Sequence, residues 1–230
     1  ANLHKNLTVI NAHKNGNERV YDERYIMKPD ARVGGSVAIV VSGILNVYGG
    51  NYLNNEVNPV TQAEDGSYVY DSTYGGAIYN YNVTRVYGGN FAGNFAYHGG
   101  AIYNYQTLEI TGGVFENNHA TGRGGAIYAV DSASAHTLIG TIPEEGKSEI
   151  TFRGNSSDSH GGVIYSGPLS ATVIYEGSTF DSNYSATSGG VICTYGQFTV
   201  YGGTFTNTLM ADPDSLPNIM TGYFMDQANL

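Results

Sequence analysis

Two histidines and an arginine come closest to a catalytic or metal-binding set. His98, Arg123 and His160 each stand directly before a pair of glycines, as do Tyr74 and Ser188. If each glycine pair marks the same point of a repeated unit, the two histidines lie two units apart, about 10 Å at the spacing of parallel strands. Ligands of one metal ion lie much closer together than this. The sequence therefore predicts neither a metal site nor another cofactor at these residues.

The acidic residues are the second place to look for chemistry, because enzymes that cleave polysaccharides need carboxylates that converge on one face. Asp71, Glu116, Asp158 and Asp181 are expected at unlike positions of the repeat. This spread predicts a protein that is not an enzyme. A polysaccharide lyase or hydrolase stays open as an alternative.

A covalent alternative concerns the single cysteine, Cys193, which excludes an internal disulfide. A cysteine thiol and a glutamine carboxamide can condense, with loss of ammonia, to an internal thioester that captures amines. Gln197 is too far along the same strand unless the chain turns at Gly196, whereas Gln227 could fold back from the C-terminal segment. Two alternatives follow: a reactive Cys193 joined to Gln227 or another glutamine, or an inert thiol.

An internal repeat indicates the elements that must position these residues. Gly99–Asn118, with the sequence GGAIYNYQTLEITGGVFENN, has a near copy at Gly75–Asn94. Further copies begin at Gly34, Gly124, Gly161 and Gly189. Apolar and polar residues alternate within each copy and glycines mark the corners, a pattern typical of short strands. The length of the unit predicts an all-β, single-stranded parallel β-helix of about six coils.

Equivalent residues of stacked coils should form columns along the β-helix axis. An apolar column is predicted from Ile78, Ile102, Ile127, Ile164 and Ile192. An aromatic column is predicted from Phe91, Phe115, Phe152, Phe180 and Phe205. A ladder of side-chain amides, each donating to the next, is predicted from Asn94, Asn118, Asn155 and Asn183.

Tyrosines next to the isoleucine column are the candidate binding residues. If the isoleucines point inward, their neighbours point outward, which predicts an exposed aromatic stripe. The stripe would consist of Tyr79, Tyr81, Tyr103, Tyr105, Tyr128, Tyr165 and Tyr195. Such a surface can stack on sugar rings or dock a protein. The alternative is that tyrosine is simply a favourable strand residue. Cys193 takes the place of the tyrosine in the last copy and is likewise expected to face outward.

The repeat also sets the domain organisation. Residues 1–33 are predicted to be an N-terminal cap with a first partial coil, and residues 34–208 the β-helix. Insertions are expected at 56–74 and 129–147, and a C-terminal cap at 209–230. Caps are needed because a terminal coil would otherwise expose unpaired strand edges.

Composition limits the classes of binding partner and the cellular location that are expected for this chain. The net charge of −10 makes binding to nucleic acid or to an anionic membrane unfavourable. The sequence has no apolar run long enough for a transmembrane helix and no recognisable signal peptide, so no membrane insertion is expected of this fragment. Abundant glycine and asparagine favour an exported surface protein.

The pairing of GGAI with F-x-x-N resembles the repeats of polymorphic outer membrane proteins and of adhesin-like right-handed β-helix proteins. The motif pair is present at Gly99–Ile102 with Phe115–Asn118, and at Gly124–Ile127 with Phe152–Asn155. The resemblance covers about residues 34–207. It implies a non-enzymatic adhesive region displayed on the cell surface, a monomeric part of a larger protein, with a glycan or protein of a host or neighbouring cell as partner. The translocating β-barrel of the outer membrane members is not expected within this fragment.

Overall fold

The computed structural model describes most of the repeat region and short segments around it. Backbone is described for residues 2–3, 8–10, 13–15, 35–58, 61–62, 68–69, 73–141, 149–207, 209–210 and 219–221. Side chains are described for residues 35–57, 73–141 and 149–207. All regular elements of these segments are β-strands, and none of the described residues forms a helix that could span a membrane.

The strands form four parallel sheets of seven strands each, which we number 1 to 4 in the order in which one coil passes through them. Sheet 1 consists of Ala38–Val40, Ile78–Asn80, Ile102–Asn104, Ile127–Ala129, Ile164–Ser166, Ile192–Thr194 and Ile219–Thr221. Sheet 2 consists of Asn2–Leu3, Ile44–Val47, Val83–Val86, Thr107–Ile110, His136–Ile139, Ala171–Ile174 and Gln197–Val200. Sheet 3 consists of Thr8–Ile10, Asn51–Leu53, Asn90–Ala92, Gly112–Glu116, Glu149–Arg153, Ser178–Asp181 and Thr204–Thr206. Sheet 4 consists of His13–Asn15, Glu56–Asn58, Phe95–Ala96, His119–Ala120, Ser156–Ser157, Tyr184–Ser185 and Leu209–Met210.

Each coil visits the four sheets in turn and then stacks on the previous coil. Ile78 pairs with Ile102, Ile102 with Ile127, and the same register continues upward. Each strand of sheet 1 from Ala38–Val40 to Ile192–Thr194 begins one coil, which gives six coils and leaves Ile219–Thr221 as the start of another. The prediction of a right-handed parallel β-helix of about six coils is confirmed.

The predicted apolar columns fill the interior. All five isoleucines of the column are fully buried in one core cluster, together with four of the five phenylalanines. The rings of Phe91 and Phe115 stack with centroids 4.7 Å apart and planes 2° from parallel, and Tyr52 extends the stack below Phe91 at 4.5 Å. Each buried aromatic pair adds about 0.5–1.5 kcal/mol beyond the burial of its apolar area. The core is therefore continuous along the axis.

The predicted amide ladder is also confirmed. The Nδ2 of Asn94 donates to the Oδ1 of Asn118 across 2.8 Å, and the Nδ2 of Asn118 donates to Asn155 across 2.9 Å. Asn55 and Asn183 continue the ladder at its two ends. The second amide hydrogen of each residue from Asn94 onward reaches a backbone carbonyl, for example that of Phe91. Both amide hydrogens of Asn94, Asn118 and Asn155 therefore have acceptors, which offsets the cost of burying these polar groups.

Glycine pairs are required at the corner before sheet 1. Gly75 has φ of 61°, and a Cβ there would lie 2.1 Å from the carbonyl oxygen of Ile78. A Cβ on the next residue, Gly76, would lie 2.2 Å from the carbonyl oxygen of Gly100 in the following coil. The first glycine thus permits the left-handed turn and the second permits the close approach of two coils.

The predicted insertions contain regular structure. Residues 56–74 include the sheet 4 strand Glu56–Asn58 and a small antiparallel pair, Thr61–Gln62 with Tyr68–Val69. Residues 129–147 include the sheet 2 strand His136–Ile139, which divides the predicted insertion into two parts. Most of the predicted caps, 1–33 and 209–230, lies outside the described residues.

Candidate functional site

The predicted tyrosine stripe faces away from the isoleucine core, but most of it is not exposed. Tyr79, Tyr103 and Tyr165 are only 8%, 6% and 5% exposed. Tyr79 and Tyr103 form a second apolar cluster, separate from the interior core. The outward direction was predicted correctly, whereas the exposure of these three side chains was predicted wrongly.

Stacking of the rings explains why the stripe is buried. Tyr79 and Tyr103 have ring centroids 4.8 Å apart, and Tyr128 and Tyr165 have centroids 5.1 Å apart with planes 8° from parallel. Because this separation matches the spacing of the strands, each ring covers the face of the next. We call Tyr79, Tyr103, Tyr128, Tyr165 and Cys193 the outer column; they are in register along sheet 1.

The remaining tyrosines of the stripe flank the outer column and are half-buried. Tyr81 and Tyr105 stack on each other with centroids 4.4 Å apart, and Tyr195 leans toward Tyr165 at 5.9 Å. Tyr128 is also half-buried. Tyr81, Tyr105, Tyr128 and Tyr195 are therefore the members of the predicted stripe that retain exposed atoms.

A second column, which we call the corner column, lies beside the outer column. Its members are Tyr74, His98, Arg123, His160 and Ser188, as the sequence predicted. The backbone of Tyr74 bridges to His98, and that of His160 bridges to Ser188. The backbone N–H groups of Gly99 and Gly124 donate to the carbonyls of Arg123 and His160, which places Arg123 between the two histidines.

His98 is held as a neutral imidazole. Its ring stacks on Tyr128 with centroids 4.5 Å apart, and its Nδ1 accepts a hydrogen bond from the backbone N–H of Arg123 at 3.1 Å. Burial, and secondly the Arg123 charge, lower the pKa of His98 to about 3. The pKa of His160 is lowered by the same two causes. His160 Nδ1 lies 2.6 Å from the hydroxyl of Ser188.

Arg123 has aromatic partners and, among the described side chains, no acidic one. Its guanidinium carbon lies 4.8 Å from the centre of the Tyr165 ring, and its Nη1 donates to the Tyr165 hydroxyl at 3.1 Å. Its charge also acts on Tyr128, where it opposes the larger rise in pKa that burial causes. The arginine ion pairs among the described side chains are Arg85 with Glu109 and Arg153 with Glu116, and the His119 ring lies 3.5 Å from the Asp158 carboxylate.

The buried tyrosine hydroxyls stay neutral near pH 7. Desolvation raises the pKa of Tyr165 to about 12, and it raises the pKa of Tyr79 and Tyr103 further, helped by neighbouring tyrosines. The hydroxyls around Arg123 therefore donate and accept hydrogen bonds without supplying a negative charge.

Cys193 ends the described part of the outer column. It points outward in register with Tyr165, as predicted, but it is fully buried there. Burial is the main cause that raises the pKa of the thiol, which works against reactivity. Its proposed thioester partner Gln227 lies outside the described residues, and the thioester stays a prediction.

The expectation that the acidic residues occupy unlike repeat positions is wrong for two of them. Glu116 and Asp181 do not occupy unlike positions; both pair with Arg153 in the register of sheet 3. Arg153 lies between them and forms an ion pair with Glu116. Asp181 accepts hydrogen bonds from Thr206 and Asn207. The described side chains include no group of three or more His, Cys, Asp or Glu residues that could hold a metal ion.

Exposed tyrosines at another corner are a feature that the sequence reasoning missed. Tyr48 stacks on Tyr87 at 5.1 Å and Tyr175 stacks on Tyr201 at 5.2 Å, where sheet 2 turns into sheet 3. Tyr48, Tyr87 and Tyr201 are 49%, 45% and 65% exposed. We call these four residues the ridge tyrosines. The sequence signal is the tetrapeptide VYGG, which begins at Val47, Val86 and Val200.

Comparison with known families supports the resemblance seen in the sequence. Residues 112–130, 149–167 and 177–195 match the model of the Chlamydia polymorphic membrane protein repeat. Each matched segment runs from a strand of sheet 3 to the end of the next strand of sheet 1, and so contains one F-x-x-N group and the glycine pair that follows it. No curated protein and no solved structure gives a significant match.

Proposed function

We propose, from the polymorphic membrane protein repeats that this chain carries, that it is a non-enzymatic adhesive region displayed at a cell surface. The observation that carries the proposal is the set of three repeat matches at successive coils. The family description names a membrane protein, and adhesion of this chain is our inference from it. The partner would be a glycan or a protein on a host or neighbouring cell.

The architecture suits the presentation of a binding face. Six stacked coils form a rod about 30 Å long, because parallel strands repeat every 4.8 Å. The isoleucine, phenylalanine and asparagine columns hold neighbouring coils in one register. Side chains on the outside therefore keep fixed spacings, and solenoid proteins use such extended surfaces for recognition.

The positions of the ionisable residues favour binding over catalysis. Arg123 lies between His98 and His160, and the carboxylate of Glu116 is paired with Arg153. These carboxylate and imidazole groups take part in structural contacts within the coil stack. A scaffold with paired surface charges is the role that this arrangement supports.

A bead assay tests the proposal. Fluorescent beads coated with the purified chain are applied to a glycan array and to monolayers of cultured cells. Beads coated with the same chain after heat denaturation are the control, because they have the same composition without the coil stack. We expect the native chain alone to bind a defined subset of glycans or cells. Equal binding by both bead types, or none by either, would contradict the adhesive function.

A further inference from the structure

We infer that Arg123, with the hydroxyls of Tyr128 and Tyr165 beside it, binds the carboxylate of an acidic sugar in a surface glycan. The inference rests on the proposed adhesive function and gives it a site and a class of ligand. The site consists of Arg123, Tyr128 and Tyr165, with His98 in the coil before and His160 in the coil after. We call it the Arg123 site.

The first argument is that no described carboxylate serves as the counterion of Arg123. The chain has 20 acidic and 10 basic residues, so most cations should find a carboxylate. Of the three arginines whose side chains are described, Arg85 pairs with Glu109 and Arg153 pairs with Glu116. Arg123 is half-buried and pairs with none of the described acids. A partly desolvated charge without a counterion is unfavourable, and a bound carboxylate would supply the counterion.

The second argument is the geometry of the donors. A guanidinium presents five N–H groups in a rigid plane, and two parallel N–H groups match the two oxygens of a carboxylate. The Tyr165 ring lies 4.8 Å from the guanidinium carbon, and the Tyr165 hydroxyl accepts from Nη1. These contacts fix the orientation of Arg123 before a ligand arrives, so that less conformational entropy is lost on binding.

The third argument is the electrostatic surroundings. The groups that face Arg123 are the neutral rings of Tyr128, Tyr165, His98 and His160, and Cys193 whose thiol is kept neutral by burial. Among the described acids, Asp131 acts on Tyr128 of this cluster; it is exposed and accepts a hydrogen bond from the backbone N–H of Leu169. The Arg123 site is thus a local positive spot on a molecule of net charge −10.

The neighbouring tyrosines favour a sugar acid over an acidic peptide. Tyr128 and Tyr195 are half-buried and lie against Tyr165, so their exposed atoms border the Arg123 site. Aromatic rings beside a carboxylate-binding arginine can contact the apolar face of a pyranose ring, which a carboxylate-bearing sugar presents next to its charge. Glucuronate is the simplest probe with this chemistry.

Calorimetric and NMR titrations of the full 230-residue chain test the inference. Glucuronate is compared with glucose, which has the same ring without the carboxylate, and with an acidic peptide. We expect glucuronate to bind and glucose not to bind. Arg123→Gln should weaken glucuronate binding by about tenfold or more, because a hydrogen bond to a charged group is lost. Arg123→Lys should restore only part of the affinity, because it lacks the planar pair of donors.

The matched control is Arg85→Gln, which removes an arginine that is paired with Glu109 on sheet 2. It should leave glucuronate binding unchanged.

Should Arg123→Gln fail to fold, the ring signals of His160 in the unaltered chain provide the readout, since glucuronate at Arg123 should shift them. Equal binding of glucose, stronger binding of the acidic peptide, an equal loss in Arg85→Gln, or unshifted His160 signals would overturn the Arg123 site.

The bead assay separates this inference from the proposed function. A second variant, Tyr87→Ser with Tyr201→Ser, removes two ridge tyrosines at a different corner. If Arg123→Gln beads lose adhesion and the ridge variant keeps it, the Arg123 site is supported. If the ridge variant loses adhesion and Arg123→Gln keeps it, the Arg123 site is overturned while the adhesive function stands. Glucuronate binding by a chain whose beads never adhere would support the site and contradict the function.

Discussion

The side-chain amide of Asn118 donates to the Oδ1 of Asn155 in the next coil across 2.9 Å, and its own Oδ1 accepts from Asn94 in the coil before. Its second amide hydrogen reaches the carbonyl oxygen of Phe91. One fully buried side chain thereby links three coils. The side-chain amides of the ladder are thus arranged to satisfy one another in sequence along the axis.

Asn118→Ala should lower the free energy of unfolding by about 3 kcal/mol or more, because several buried partners lose their hydrogen bonds together. Urea unfolding followed by circular dichroism measures the change. Thr199→Ala, on the exposed face of sheet 2, is the control and should change stability by less than about 0.5 kcal/mol. A small effect of Asn118→Ala would show that the ladder contributes little.

Tyr103→Ala should act mainly on stability. Tyr103 is 6% exposed and stacked between Tyr79 and Tyr128, so its removal leaves a cavity and should cost about 3–5 kcal/mol. Tyr87→Ala removes a tyrosine that is 45% exposed and should cost about 1 kcal/mol or less. Thermal unfolding of the two variants compares a buried tyrosine with an exposed one. Equal losses would mean that Tyr103 is not buried as described.

Cys193 should react slowly with iodoacetamide in the folded protein at pH 7. The thiol is fully buried and burial raises its pKa, so that little thiolate is available. Unfolding in urea should increase the rate sharply. Mass spectrometry of the intact chain gives the reference state: the full sequence mass is expected for a free thiol. A mass lower by one ammonia would demonstrate the thioester, and fast alkylation of the native chain would contradict the burial.

The stability of the fold should decrease as the pH falls below about 6.5. The pKa of His98 is lowered from 6.5 to about 3 in the folded state, so the unfolded chain binds this proton first. The contribution of neutral His98 to the free energy of unfolding is complete above pH 6.5. It is lost progressively toward pH 3, by up to about 1.4 kcal/mol for each pH unit.

Urea unfolding at pH 7, 5 and 4 isolates the contribution of His98. The variant His98→Gln should show a shallower pH dependence than the unaltered chain, since the titrating group is gone. His136→Gln removes an exposed histidine and should keep the original slope. The carboxylates titrate in all three proteins, so their effect on the pH dependence of stability cancels in the comparison. Identical slopes for His98→Gln and the unaltered chain would contradict the lowered pKa.

Interior columns could be predicted from the sequence because their positions are repeated in every coil. Ile102 and Phe115 recur at fixed distances from the glycine pair, and parallel strands in register bring such equivalents together. The corner column with Arg123 between two histidines followed from the same rule. The same rule, had it been applied to the acidic residues, would have placed Glu116 and Asp181 in one column, because each directly follows a phenylalanine of the repeat.

The sequence by itself determined the direction of each side chain, because alternation along a strand decides inside from outside. Only the tertiary structure decided which outward side chains meet solvent. Tyr103 is covered by rings of other coils, while Tyr201 at a corner is 65% exposed, although both point away from the core. Exposure depends on the bulk of neighbours in adjacent columns, and that is a property of packing and not of any one strand. The position of Arg123 also depends on packing, since none of the described acids in the surrounding columns pairs with it.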